Sequence, residues 1–271
     1  MKTAICSCIC LENLYLREWV EHYISLGFDK IILFDTNTIY GEYPQLVIND
    51  YIQSGYVDII NKRVNEIPEN FVEYQAAYYN ECLDIYGNEY EWIAFFDIDE
   101  FLELTEYKNI KNLLNTGIYE DYEQICITWM LYDNDKYIFN YENKPVLERF
   151  PTRIDCRLNC GIKSIVRGNI NKRFVYKAGS PHRICKANSC TGDGHPIYWN
   201  NDIEIDLSSS YINNMYIKHI MFKSFEEFLI RRLNTDVFLL QDRLIQYKTC
   251  IGWTSKHQKM YEEFVKYMNN K

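Results

Sequence analysis

The chain has 271 residues, is 47% hydrophobic and carries a formal net charge of −9, enough apolar sequence for one large domain or one domain with an appendage. Its acidity and its lack of a nucleic-acid reading motif exclude a nucleic-acid partner, and no run approaches the roughly 18 apolar residues of a membrane span. The start, Met1-Lys2-Thr3-Ala4-Ile5-Cys6, alternates like a strand after one basic residue and has no cleavage site, so it reads as a cytoplasmic chain without a signal peptide.

The first hundred residues repeat one pattern. A strand from Thr3 to Cys10 places Cys6, Cys8 and Cys10 on one face as small apolar fillers. A helix follows from about Asn13 to Leu26, in which Leu16, Trp19, Val20, Tyr23 and Ile24 fall at helical spacing and Gly27 ends the run. The segment Ile31-Ile32-Leu33-Phe34-Asp35 is a second strand ending in an acid, and a short helix near Tyr43 to Ser54 leads to a third strand, Val57 to Ile60. A longer helix from Asn70 to Tyr86 opens with Asn70 and Glu73 spaced as a capping box. The fourth strand, Trp92-Ile93-Ala94-Phe95-Phe96, runs into Asp97-Ile98-Asp99-Glu100.

Such alternation predicts an α/β fold with a mostly parallel central sheet, right-handed crossovers and helices on both faces. Asp35, Asp97 and Asp99 then share the edge where open α/β sheets bind ligands. No Gly-x-Gly-x-x-Gly follows the first strand; Leu11-Glu12-Asn13 stands there instead, which argues against a dinucleotide. The second half predicts strands at Gln124 to Met130, Ile162 to Val166, Arg173 to Tyr176 and Tyr216 to Met221. It then predicts a helix from Ser224 to about Gln246, capped by Ser224 and Glu227. The expected organisation is one α/β domain over 1–222 and a helical extension over 223–271.

Three carboxylates crowded at a strand end repel one another unless a cation compensates them. With no Cys or His inside the motif, the oxygen ligands suit Mg2+ or Mn2+ better than zinc. A haloacid-dehalogenase-type phosphatase also begins with a strand and Asp-x-Asp, but Phe101 stands where that chemistry wants a small hydroxyl residue. The ten cysteines lack the spacing of a disulfide framework, and Cys156 with Cys160 and Cys185 with Cys190 are irregular for zinc even with His182 or His195. Charge is uneven: residues 149–186 hold ten Lys/Arg against Asp155, a balance of +9, whereas residues 1–148 hold nine basic and 27 acidic residues, a balance of −18. The basic segment is either a solvated face or a wall for a phosphate-bearing ligand or an anionic membrane surface.

The segments LENLYLREWVEHYISLGFDKIILFD (11–35), YQAAYYNECLDIYGNEYEWIAFFDIDEFL (74–102), ERFPTRIDCRLNCGIKSIVRG (148–168) and IKHIMFKSFEEF (217–228) together resemble GT-A-fold glycosyltransferases, specifically small bacterial enzymes related to families 2 and 92. The resemblance implies transfer of a sugar from a nucleotide-sugar donor, a UDP-sugar in the first instance, to a saccharide or lipid-linked glycan. Asp97 and Asp99 would hold the metal, with Asp97 facing the ribose or the metal and Glu100 orienting the site. Glu12, Asp35, Gln75 and Asn80 match positions around the nucleotide.

An inverting transferase needs a carboxylate to take the acceptor's proton, and Asp133 or Asp135 in Trp129-Met130-Leu131-Tyr132-Asp133-Asn134-Asp135 is the candidate, although relatives more often read Trp-x-x-Phe-Gly there. His182 and His219 compete to be the third metal ligand. His219 is favoured by Lys223 and by the adjacent helix N-terminus, both suited to a phosphate. The implied role is a metal-dependent enzyme of bacterial surface polysaccharide or lipo-oligosaccharide synthesis, cytoplasmic and in possible peripheral contact with the inner face of the membrane. A nucleotidyltransferase acting on a sugar phosphate, or a non-catalytic nucleotide-sugar or glycan binding protein, is the alternative.

Overall fold

A computed structural model describes residues 1–65, 71–133, 144–154, 161–177, 180–184, 186–198, 212–232, 244–245, 247–251 and 253–269. In chain order the first elements are β1 (Thr3–Ile9), α1 (Asn13–Ser25), β2 (Lys30–Asp35), α2 (Gln45–Gln53), β3 (Val57–Asn61), α3 (Phe71–Tyr86), β4 (Trp92–Phe95), β5 (Glu100–Leu104) and α4 (Ile110–Leu114). They are followed by β6 (Gln124–Asp133), α5 (Val146–Arg149), β7 (Thr152–Arg153), β8 (Ile162–Arg167), β9 (Phe174–Lys177), β10 (Ser180–Ile184), β11 (Ser189–Thr191), β12 (Pro196–Ile197), β13 (Met215–His219), α6 (Phe225–Arg232) and α7 (Ser255–Asn269).

The first four strands pair in parallel in the order β3-β2-β1-β4. The mostly parallel sheet expected from sequence holds only to this point. Beyond β4 the sheet is mixed, because β8 enters antiparallel to β4 and β6 antiparallel to β8, while β11 returns parallel to β6. Antiparallel neighbours do not need the helical crossover that parallel ones require. The second half accordingly has apolar runs without long helices between them.

Burial explains the first strands. Every residue of β1 and of β4 is buried, as expected for central strands covered on both faces. On one face Ala4, Cys6, Cys8, Ile32, Phe34, Ile93 and Phe95 pack with Tyr79 and Cys82 of α3 and with Phe174 and Ile184 of the β9–β10 hairpin. The alternation of Cys6 and Cys8 therefore serves a core, as their spacing predicts. Leu16, Trp19, Val20 and Tyr23 are the fully buried stripe of α1, and Gly27 follows the helix at φ +87°, a left-handed position that favours glycine.

The chain divides into two compact units, Met1–Trp129 with Asn159–Lys218 and Met130–Leu158 with His219–Lys271. The first is built on the large sheet. The second contains α5, α6 and α7, and its core is aromatic: Phe225 lies 5.1 Å from Tyr247 and 5.0 Å from His257 between ring centroids, and Trp253 stacks on His257. The capping box expected at α6 is present. Ser224 Oγ accepts from the Glu227 N–H at 3.3 Å, and Glu227 Oε2 accepts from the Ser224 N–H at 3.0 Å. Residues 233–243 of the longer helix expected here, and Asn70 of the other expected box, lie outside the described residues.

Candidate active site

The parallel register brings the ends of β1, β2 and β4 to one edge: Ile9 pairs with Asp35, and Cys6 with Phe95. The chain leaving β4 makes a tight turn, in which the Glu100 N–H donates to the Asp97 carbonyl at 3.1 Å and the Asp97 N–H donates to Glu100 Oε2 at 3.0 Å. Helix α1 holds this turn from behind. The Trp19 indole N–H donates to the carbonyls of Asp97 and Glu100, both at 3.0 Å, and the Tyr23 hydroxyl donates to the Glu100 carbonyl at 2.9 Å while accepting from the Leu102 N–H at 3.0 Å. Buried carbonyls need such donors.

Both oxygens of Asp97 are engaged. Oδ1 accepts from Gln75 Nε2 at 2.8 Å, and Oδ2 from Lys163 Nζ at 2.5 Å. Lys163 lies on β8 next to Ser164, which pairs with Phe95, so the antiparallel register delivers its side chain to the motif. Its ammonium is also 3.0 Å from Glu100 Oε1 and 2.8 Å from His182 Nε2. Burial alone would lower the Lys163 pKa, but the carboxylates of Asp97 and Glu100 outweigh it and hold the ammonium above its ordinary value. An ammonium has no acceptor capacity, so His182 Nε2 accepts and the ring proton sits on Nδ1.

Asp99 and Glu100 are buried, at 8% and 0% exposure. His219 ends β13 and is 8% exposed, and it belongs to the second compact unit. Carboxylate oxygens crowded in this turn suit a hard divalent ion such as Mn2+ or Mg2+. His182, the other histidine expected to serve a metal, has its Nε2 on Lys163.

The residues expected around the nucleotide are placed as follows. Asp35, 2% exposed, receives Arg63 Nε at 2.8 Å and the Asn37 side-chain amide at 2.8 Å. Asn37 Oδ1 in turn accepts from the N–H of Leu11, whose φ is +56°, a conformation uncommon for a bulky side chain. Arg63 also donates to the carbonyl of Thr38 and stacks 4.0 Å from the Tyr43 ring. Glu12 is buried in the loop beside Leu11. Gln75 bonds Tyr79 OH as well as Asp97. Asn80 uses both ends of its amide on the Phe174 backbone, at 3.0 and 2.8 Å, which ties α3 to β9.

Asp133 is the last residue of β6, 1% exposed and paired with Thr152 of β7, whereas sequence places it just past the strand. Asp135 lies outside the described residues. Lys223 is 2% exposed with φ +55°, immediately before the cap Ser224. The sequence reading passes over Lys163, Trp19 and Tyr23 as site residues. The available signal is in Ile162-Lys163-Ser164-Ile165-Val166, where one cation interrupts an apolar strand and therefore needs a buried partner.

The basic segment is largely used internally. Arg149 is 3.8 Å from Glu227, Arg167 2.9 Å from Glu91 and Arg173 2.7 Å from Asp84; Lys172 pairs with Glu123, and Arg183 is buried.

The model of glycosyltransferase family 92 matches residues 3–170. Among curated relatives, galactan β-1,4-galactosyltransferase GALS3 of Arabidopsis thaliana is 27% identical over 117 residues, covering 42% of this chain and 23% of its own length. A glycosyltransferase family 92 protein of Ricinus communis is 24% identical over 139 residues, covering 46% of this chain and 23% of its own. The chain thus spans about a quarter of the length of these relatives. Among solved structures, Staphylococcus aureus TarS 1–349 aligns at TM-score 0.38 and 12% identity over 62% of this chain and 47% of that one. The galactosyltransferase LgtC, in complex with donor and acceptor sugar analogues, aligns at TM-score 0.32 and 11% identity over 61% and 58%.

Proposed function

We propose, from the premise that the chain belongs to glycosyltransferase family 92, that it transfers a sugar from a nucleotide-sugar donor, in the first instance a UDP-sugar, to a saccharide or lipid-linked glycan acceptor. The observation that carries this reading is the carboxylate turn after β4, clamped by α1 and charge-compensated by Lys163. A galactosyl donor is the first to test, since the Arabidopsis relative is a galactan β-1,4-galactosyltransferase.

Asp99 and Glu100 of the carboxylate turn would hold a Mn2+ or Mg2+ ion, and His219 is the further ligand expected from sequence. When bound, the ion would offset the charge that develops on the departing nucleoside diphosphate. The remaining chemistry belongs to the chain. Trp19 and Tyr23 fix the backbone of the turn, Gln75 and Lys163 fix the Asp97 carboxylate, and Arg63 with Asn37 shapes the loop after β2. Asp133 is the proposed base that takes the acceptor hydroxyl proton in an inverting displacement. Work on surface polysaccharide or lipo-oligosaccharide in the bacterial cytoplasm is part of the same proposal.

The test is nucleoside diphosphate release from a panel of nucleotide sugars, with and without Mn2+ and with a mixed glycan acceptor. Activity should require the metal and should drop by about two orders of magnitude or more in Asp99→Asn, which removes a charged oxygen ligand at nearly constant shape. Undiminished turnover in EDTA or in Asp99→Asn would reject metal dependence. Tight binding of a nucleotide sugar without turnover of any donor would favour a binding protein instead.

A further inference from the structure

We infer that Lys163 is the positioning residue of the carboxylate turn: a resident monovalent cation that fixes Asp97 and Glu100 and limits how strongly the turn attracts a divalent ion before the donor arrives. The inference deepens the glycosyltransferase reading and rests on it for the donor alone.

The geometry is specific. An ammonium has three N–H bonds, and Lys163 Nζ faces three partners: it hydrogen-bonds Asp97 Oδ2 at 2.5 Å and His182 Nε2 at 2.8 Å, and it forms an ion pair with Glu100 Oε1 at 3.0 Å. Lys163 is 5% exposed and Glu100 is fully buried, so their contact is shielded from water and weakly screened, whereas the Asp97 side chain is 33% exposed. The acceptors are themselves held. Gln75 fixes Asp97 Oδ1, the Asp97 N–H fixes Glu100 Oε2, and the His182 carbonyl accepts from Gln124 Nε2 at 2.8 Å and from Ser164 Oγ at 2.6 Å. The cation is therefore built into a frame from β8, β10, α3 and the turn.

Two consequences follow. Asp97, Asp99 and Glu100 would carry −3 as carboxylates, and the ammonium reduces that to −2, which lowers the attraction for a bare divalent ion. The frame also holds the turn's carboxylates in one arrangement whether or not a metal is bound. Removing the cation should therefore move two observables in opposite directions, metal affinity up and transfer down, a split that simple loss of structure does not produce.

The experiment compares wild type, Lys163→Met and Lys163→Arg. Free Mn2+ is titrated without donor and followed by its paramagnetic resonance signal, and steady-state transfer is measured in parallel. Lys163→Met should bind Mn2+ on the order of tenfold more tightly, because an opposite charge within contact distance has been removed from the ligands. Its kcat should nevertheless fall, with a smaller change in KM. Lys163→Arg keeps the charge but presents a planar fork that cannot donate in three directions, so Mn2+ affinity should stay near wild type while kcat falls.

No gain of Mn2+ affinity in Lys163→Met, whether or not wild type binds the ion, would overturn the inference. If Lys163→Met does not fold, the lysine ammonium resonance of 15N-labelled wild type decides. It should be slowly exchanging and should disappear in Lys163→Arg, and a rapidly exchanging signal would overturn the inference. Neither the titration nor the resonance needs a turning-over enzyme, so absence of transfer by wild type would count against the proposed function and leave this inference standing on its own readouts.

Discussion

Asp97 and Asp99 are legible in the sequence because a strand of apolar residues hands the chain directly to them, and the parallel register of β1 with β4 places the turn at the edge. Their environment is less legible. Lys163 is 66 residues from Asp97 and Arg63 is 28 residues from Asp35, and no local pattern announces which basic residue closes on which acid. The cysteines are a clearer case, since alternation alone puts Cys6 and Cys8 in the core. Cys6, Cys8, Cys82 and Cys190 are buried thiols without disulfides. Burial, with a smaller contribution from Cys82, pushes Cys6 well up; burial, then Asp97, does the same to Cys8; and burial alone pushes Cys190 up to about 12. The thiolate is the reactive form, so a raised pKa keeps these groups protonated and inert until the pH approaches the shifted value. At pH 8 iodoacetamide should leave Cys6, Cys8 and Cys190 unmodified in the native protein and label all three in urea, as read by peptide mass spectrometry. Native labelling of Cys190 would contradict its burial.

Helix α1 shows how far an element can be read and where reading stops. Its length, its buried stripe and its glycine end follow from the 3.6-residue period and from Gly27. That Trp19 and Tyr23 spend their polar ends on the carboxylate turn does not follow, because the period says which face is buried and not what that face meets. Strand β5 is missed for a related reason: Glu100-Phe101-Leu102 continues the acidic motif, so the sequence reads one strand end where the chain in fact turns and starts a new strand at Glu100. Trp19→Phe tests the clamp. An aromatic ring is kept, but the indole's second ring is lost from a fully buried site and two carbonyls lose their indole donor, which together should cost about 2–4 kcal/mol in urea unfolding. Transfer should fall further than this stability loss predicts, since the turn would no longer be held. Wild-type stability and transfer in Trp19→Phe would mean that the turn is fixed by the Tyr23 bonds alone.

At the scale of the whole chain, the parallel half of the sheet is what βα alternation dictates, and the mixed half is not, because strands brought together without regular crossovers leave no periodic signature of their partners. Charge behaves likewise. The balance of +9 over residues 149–186 is a fact of the sequence, yet its meaning depends on where the counter-charges fold. In the structure Lys163, Arg167, Lys172 and Arg173 are matched by Asp97 and Glu100, Glu91, Glu123 and Asp84, and Arg149 and Arg183 are buried. Arg153, Arg173 and Lys186 are exposed. Attraction of a cation to an anionic bilayer amounts to roughly 1 kcal/mol for each Lys or Arg near the surface, and pairing within the chain together with a net charge of −9 weakens what this segment can contribute. Co-sedimentation should therefore find equal partitioning to neutral and to phosphatidylserine-containing vesicles between 50 and 300 mM salt, on the order of the range over which surface charge is progressively screened. A salt-sensitive preference for the anionic vesicles would instead show that the exposed cations of this chain suffice for membrane contact.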